Sequence, residues 1–255
     1  MSNPARVLIT GASGAIGGAL AREYAAPGVT LILQARNEAA LNAVAADCQR
    51  RGATAKVFAF DVRDVEHLRR WATEVSAEAP PDLAVVNAGM NIDIGPDGAG
   101  ERWQDVEALF EVNVRASLAL VDALLPAMRA RRRGQIALVS SLAGYFGLPV
   151  TPSYCASKAA LKAYGEALRG WLAPQGVQVS VVMPGYVESP MCEAMPGPKP
   201  FLWPPEKAAC AIRAGLARNQ ARISFPFPLN FGTWWLAVLP AGLSQRIVRW
   251  LGYGV

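Results

Sequence analysis

Val7-Leu8-Ile9-Thr10-Gly11-Ala12-Ser13-Gly14-Ala15-Ile16-Gly17 is an apolar run ending in a glycine-rich turn that passes into a helical pattern near residues 17–26. Such a turn lets the backbone approach a pyrophosphate, whose charge is stabilised by the unpaired N–H groups of the helix N-terminus. Gly11, Ser13, Gly14, Ile16 and Gly17 are therefore candidates to hold a dinucleotide. Outward from this point, short apolar runs recur at residues 31–33, 57–60, 83–86, 136–139 and 179–182. They are continuous rather than alternating, as strands covered on both faces should be. Helical patterns lie between them, near 38–51, 65–77, 103–130 and 154–172. The alternation predicts an α/β fold of Rossmann type, a doubly wound parallel sheet with right-handed crossovers. No internal repeat or linker divides the chain, so residues 1–255 are expected to form a single domain.

Composition agrees with that reading. Over 255 residues, 52% are hydrophobic and 18% charged, with mean hydropathy +0.20, which suits a large core and not a disordered chain. A surplus of 25 basic over 20 acidic residues is too mild for a nucleic-acid module. The surplus is also uneven, because no Asp or Glu follows Glu206, so the last 49 residues carry +6 and the first 206 carry −1. Four cysteines (Cys48, Cys155, Cys192, Cys210) lack CxxC spacing and read as reduced, buried thiols. With no apparent leader before the first strand, a cytoplasmic setting is expected. The single histidine, His67, rules out sites needing two imidazoles; it is expected to be solvated, and no metal site is predicted.

Cofactor choice turns on the end of the second strand. A fold selecting NAD places an acidic residue there for the ribose hydroxyls. Here the sequence is Gln34-Ala35-Arg36-Asn37, with no acid and a guanidinium suited to a 2′-phosphate. NADP(H) is expected over NAD(H).

Tyr154-Cys155-Ala156-Ser157-Lys158 carries the chemistry. Tyrosine and lysine four apart share one helix face, and Tyr154 is the sole tyrosine among six with a lysine four residues on. A nearby ammonium is expected to lower the phenol's pKa and so make it a general acid/base.

With these motifs in order, the chain resembles the short-chain dehydrogenase/reductase family, in its shorter single-domain branch. The resemblance runs from Val7 to about Phe227. It rests on Thr10-Gly11 to Gly17, Asp61-Val62, Asn87-Ala88-Gly89, Asn113, Ser140-Ser141, Tyr154-x-x-x-Lys158 and Pro184-Gly185-Tyr186-Val187-Glu188-Ser189. It implies that Ser141 hydrogen-bonds the substrate oxygen, with Ser140 the less suited of the pair. Tyr154 is implied as the proton donor, and Lys158 as the group that tunes it and binds the nicotinamide ribose. Asn113 would hold a water that resupplies protons. Asp61 and Val62 would border the adenine, Asn87, Ala88 and Gly89 the adenosine ribose, and Pro184, Gly185, Val187 and Ser189 the nicotinamide. Assembly as a homodimer or homotetramer through the fourth and fifth predicted helices is also implied. The sequence departs from the branch pattern in placing its middle glycine at Gly14 rather than at Ala15, the spacing of the nucleotide-sugar epimerase branch. It departs again in having Ser189 where threonine is common.

The implied activity is interconversion of a ketone or aldehyde and its alcohol. Rival readings are an epimerase or dehydratase acting on a nucleotide sugar, and a non-catalytic dinucleotide sensor or scaffold. Met90, Ile92, Tyr145, Phe146 and a proline-rich loop at 185–205 are the expected substrate walls, and they favour an apolar or amphipathic small molecule. The tail resembles that of bacterial family members associated with surface-polysaccharide or lipid synthesis, which implies a lipid or surface-polysaccharide precursor. Lys199 is a candidate for an anionic head group. Residues 225–243 carry no charge, yet their prolines and glycines disfavour a spanning helix. Beyond them Leu243, Ile247, Trp250 and Leu251 are expected on a face opposite Arg246 and Arg249. The preferred reading of residues 225–255 is a cover over the cleft or a subunit interface. The other is peripheral contact with an anionic membrane.

Overall fold

A computed structural model describes residues 4–95 and 97–253. Seven parallel strands form one sheet in the order β3-β2-β1-β4-β5-β6-β7. They are β1 (Arg6–Thr10), β2 (Thr30–Ala35), β3 (Thr54–Ala59), β4 (Leu83–Val86), β5 (Gly134–Val139), β6 (Val177–Pro184) and β7 (Arg222–Phe225). Successive side chains point to opposite faces, so each buried run feeds two cores. Val7, Ile9, Leu31, Leu33 and Val85 pack under helices α1 (Ala15–Tyr24) and α2 (Glu38–Arg50). Leu8, Ile32, Ala84, Ile136 and Leu138 pack on the other face, under α3 (Val65–Glu78) and the helices of the second half. The chain leaves β1 toward β2 and β3, and later returns to β4 on the opposite side. This reversal opens a crevice at the carboxyl ends of β1 and β4.

Several expectations need correcting. The predicted helix at 103–130 is three pieces: α4 (Trp103–Phe110), a wide π-type turn (Glu111–Arg115) and α5 (Ala116–Ala130). The turn puts Asn113 in the middle of a local unwinding, a feature common at functional sites. α6 (Pro152–Leu172) follows the sequence reading closely. The run around residues 57–60 was expected to be covered on both faces; β3 is instead an edge strand with Thr54 and Ala59 exposed. His67 is half-buried rather than solvated, its ring stacked on Phe60 at 4.5 Å. Cys48, Cys155 and Cys192 are buried free thiols, whereas Cys210 is exposed.

The proline-rich stretch is not simply a loop. Ser189 caps a short helix α7 (Pro190–Ala194) through the Cys192 N–H, and Val187 pairs with Trp203 in a parallel bridge. The sequence reading missed α8 (Pro205–Ala217) and β7. α8 covers the first core with Ala208, Ala209, Ile212 and Leu216. Beyond β7 come α9 (Leu229–Val238), α10 (Ala241–Val248) and an irregular turn at 249–253. A separate small cluster holds this tail: Leu236, Val248 and Tyr253 pack with Val150, flanked by Phe146, Leu148 and Tyr186.

Candidate active site

The glycine turn is built by close approach. Gly11 has φ +65°, and a Cβ there would lie 2.9 Å from the Ala88 Cα; a Cβ on Gly17 would lie 2.3 Å from the Gly11 carbonyl oxygen. The ends of β1 and β4 are tied across this contact. Thr10 Oγ1 accepts from the Asn87 and Ala88 N–H groups, and Asn87 Nδ2 donates to the Thr10 carbonyl at 3.0 Å. α1 starts at Gly14 with no side-chain cap and no acid in its first turn. Its first-turn N–H groups, lacking side-chain partners, therefore open on the crevice, a cradle that fits a dinucleotide pyrophosphate.

At the end of β2, Arg36 is exposed on the rim and makes no hydrogen bond or ion pair to the described residues. Asn37 caps α2 by accepting from the Ala40 N–H. Asp61 is held by Arg63, whose Nη2 lies 2.7 Å from the carboxylate. Burial pushes that acid up, but the Arg63 hydrogen bonds and charge outweigh it and leave it below the usual range.

β5 and α6 bring the remaining groups together. The Ser140 hydroxyl donates to the Lys158 carbonyl at 2.7 Å and is fully committed to structure. Ser141 Oγ accepts from the Ala143 N–H, donates to the Pro184 carbonyl at 3.4 Å and faces the Tyr154 hydroxyl, whose pKa it pulls down. Lys158 Nζ donates to the Val139 carbonyl at 3.0 Å and sits 5.5 Å from the centre of the Tyr154 ring. The amine was expected to lower the phenol's pKa. Instead burial dominates both groups. It pushes Tyr154 up to about 12 against the opposing pull of the Ser141 hydroxyl, and it pulls Lys158 down to about 8.

Asn113 is wholly buried beneath these residues. Its Oδ1 accepts from the Met90 N–H at 2.8 Å, while Nδ2 donates to the Met90 carbonyl and to Ser157 Oγ, each at 3.0 Å. Gly89 is wedged above: a Cβ there would lie 3.3 Å from Asn113 Oδ1 and 3.4 Å from Lys158 Nζ.

One cleft of about 1060 Å³ collects nearly all the sequence-predicted residues. Gly11, Ser13, Gly14, Ile16, Arg36, Asp61, Val62, Asn87, Ala88, Gly89, Ser141, Tyr154, Lys158, Pro184, Gly185, Val187 and Ser189 line it. Gly17 and Asn113 do not reach its surface and act from behind it. Of the expected walls, Met90, Met191 and Met195 line the cleft and Ile92 does not. Tyr145 and Phe146 line a separate cavity of about 530 Å³. Trp203 stacks on Phe225 at 5.0 Å, and Lys199 donates only to the Gly197 carbonyl.

Sequence reasoning did not single out which tail residues complete the wall. They are Leu229, Gly232, Thr233, Trp235, Leu236, Ile247, Val248, Leu251 and Tyr253. The tail thus covers the cleft. Its anchor is a relay of hydroxyls: Tyr186 donates to Tyr253 at 2.8 Å, and Tyr253 donates to the Pro198 carbonyl at 2.6 Å. The expected amphipathic pattern is only partly present. Ser244 and Val248 face inward, while Leu243 and Trp250 are exposed along with Arg246 and Arg249.

Comparison with known proteins agrees with this geometry. The family model described as short chain dehydrogenase matches residues 5–197. An uncharacterized oxidoreductase of Myxococcus xanthus is 35% identical over 244 residues, 95% of each chain. Estradiol 17-beta-dehydrogenase 11 of Homo sapiens is 30% identical over 261 residues, covering 97% of this chain and 86% of its own. Among solved structures, a metagenomic short-chain oxidoreductase in complex with NADP superposes with TM-score 0.71. It is 30% identical, over 86% of this chain and 95% of its own.

Proposed function

The chain belongs to the short-chain dehydrogenase/reductase family, as an NAD(P)-dependent oxidoreductase, and from that premise we propose that it uses NADP(H) to interconvert an apolar ketone or aldehyde and its alcohol. The observation that carries this reading is Ser141, Tyr154 and Lys158 meeting at the inner end of a cleft whose outer wall is aliphatic and aromatic. When bound, the nicotinamide cofactor supplies or accepts the hydride.

This chain's residues do the rest. Gly11, Ser13, Gly14 and Ile16 offer backbone to the pyrophosphate, and Arg36, unpaired on the rim, meets the 2′-phosphate. Asp61 and Val62 border the adenine and Asn87, Ala88 and Gly89 its ribose, with Pro184, Gly185, Val187 and Ser189 beside the nicotinamide. The NADP complex of the 30% identical structure supports the cofactor choice. In the reductive direction, the Tyr154 phenol donates its proton to the oxygen that develops charge, while Ser141 orients that oxygen. With its pKa pushed up to about 12, the phenol is neutral and protonated at neutral pH and so holds the proton that the reduction consumes. Lys158 binds the nicotinamide ribose, and its amine, lowered to about 8, exchanges protons near working pH. Asn113 fixes the Met90 backbone and α6 so that Lys158 and Gly89 keep their distance, and it supports the water that resupplies protons.

Residues 185–205 and 225–255 form the substrate end. Its methionines and aromatics favour a lipid-like or other large apolar carbonyl, in line with the steroid named for the human relative. The setting in this reading is cytoplasmic, in keeping with four unbridged cysteines, with the tail peripheral to a membrane. Assembly as a homodimer or homotetramer through residues 103–130 and 154–172 is supported by the exposed Trp103, Phe110 and Trp171 there.

The decisive test is Tyr154→Phe. It should cut NADPH-dependent turnover of long-chain ketones by about 10²–10⁴-fold while NADPH binding persists. Unchanged turnover would refute the assignment.

A further inference from the structure

α9 presents an apolar face that the fold does not cover. Phe231, Trp234, Trp235 and Val238 recur at the spacing of one helical face and are 54%, 39%, 48% and 56% exposed. The three rings lie against one another, with centroids 5.8–6.2 Å apart. Among the ten residues of α9 only Leu236 is buried. α10 and the turn after it extend this surface with Leu243, Trp250 and Leu251, between which stand Arg246 and Arg249. Neither arginine pairs with an acid among the described residues, and the sequence holds no acid after Glu206. Contiguous exposed apolar surface of this kind marks an interaction site.

From the continuity of this face with the cleft and from its charge, we infer that the outer surface of α9 and α10 docks on an anionic lipid bilayer, with the mouth of the cleft turned to the lipid. Met191, Trp235 and Leu251, from three segments, each line the cleft and are each exposed. They are apolar points at which the interior wall reaches the outer surface. No described helix is long and apolar enough to cross a membrane, so the contact is interfacial. Tryptophans at the headgroup level and arginines beside them match an anionic interface on both counts. The purpose rests on the proposed apolar substrate: an apolar carbonyl dissolved in lipid passes from the bilayer to Tyr154 without crossing water. The docking itself does not depend on turnover.

The test is flotation of the full chain with phosphatidylcholine vesicles, with and without about one-third phosphatidylglycerol. Binding should require the anionic lipid and weaken in high salt. The triple variant Phe231→Ser/Trp234→Ser/Trp250→Ser should bind about tenfold more weakly for each aromatic removed. Arg246→Gln/Arg249→Gln should lose about fivefold per arginine on anionic vesicles only. Both variants should melt like the parent, since these side chains are exposed; the arginine pair keeps the test open if the triple variant does not fold. Acyl-chain brominated lipid should quench the tryptophan fluorescence. Absence of flotation, or flotation unchanged in either variant, overturns the inference. So does a parent dimer that the triple variant converts to monomer, which would give the face to a second copy. Flotation without ketone reduction would leave the docking standing and remove the proposed function.

Discussion

Gly17→Ala puts the glycine turn under direct test. A Cβ at position 17 would sit 2.3 Å from the Gly11 carbonyl oxygen, 2.8 Å from Asn87 Nδ2 and 3.0 Å from the Ala12 Cα. Ordinary C···O contacts begin at about 3.3 Å, so the neighbours must retreat by roughly 1 Å. They have nowhere to go, because Gly11 is itself wedged against Ala88 and Asn87 is bonded to Thr10. Overpacking against backbone costs about 3 kcal/mol, the upper end of its usual range. Alanine returns about 1 kcal/mol of helix propensity. The net loss of about 2 kcal/mol should lower Tm by about 4–8 °C for a chain of this size. NADPH affinity should fall with it, as the Gly11 carbonyl and the start of α1 are displaced. Gly14→Ala is the comparison. Its Cβ would meet only the Gly11 oxygen, at 3.3 Å, and φ is −80°, open to any residue. That variant should lose less than about 1 kcal/mol. Thermal melts of both, with and without NADPH, give the answer. A Gly17→Ala protein melting within about a degree of the parent, or a Gly14→Ala protein that is the worse of the two, would refute the close-approach argument.

Two further outcomes follow from the site. Arg36→Glu should raise KM for NADPH by about 10–100-fold, the worth of a charge-assisted bond to phosphate, with KM for NADH moving little; steady-state kinetics with both cofactors decides it. Lys158→Met bears on stability against pH. The amine titrates at about 8 in the fold, below its ordinary 10.5, so above pH 8 the unfolded chain holds more protons and stability rises with pH. Above about 10 the raised Tyr154 works the other way, because there the folded state keeps a proton that the unfolded state loses. The buried thiols, raised by burial, work against this rise as the unfolded thiols ionise, so the test is the difference between two proteins. In urea melts between pH 8 and 10 the parent's slope should be more positive than that of Lys158→Met, and equal slopes would remove the burial argument.

What the sequence disclosed follows from which forces are local. Five strands are readable because a strand covered on both faces must be apolar without interruption, and β3 reads the same way although it lies at the edge. The glycine turn is readable because no other residue fits beneath Asn87 and Ala88. β7 escaped because four residues, Arg-Ile-Ser-Phe, mix polar and apolar in an edge position. α8 had a start signal, Pro204-Pro205-Glu206, that the proline-rich context masked. The π turn at Asn113 left no trace in the pattern, and the Met90 backbone that Asn113 binds there is 23 residues away along the chain. The balance of Tyr154 and Lys158 was misjudged for a related reason: spacing gives proximity along a helix but not depth. The same holds for the tail, where Leu243 and Trp250 are apolar yet the buried positions are Ser244 and Val248.

The tail's small cluster has a consequence for how this enzyme can change. Leu236, Val248 and Tyr253 share no core with the side chains that hold Ser141 and Lys158 in register. The two parts meet at few places: Leu229 of α9 packs with Leu142 beside Ser141, and Tyr253 bonds Tyr186. Tail substitutions away from Leu229 and Tyr253 share no partner with Ser141 or Lys158, so their effects should add to those of site substitutions. The family model ends at residue 197, before α9 and α10 begin. α8 and β7, also beyond that boundary, still belong to the first core and the sheet, so the part that packs around Val150 begins only at α9.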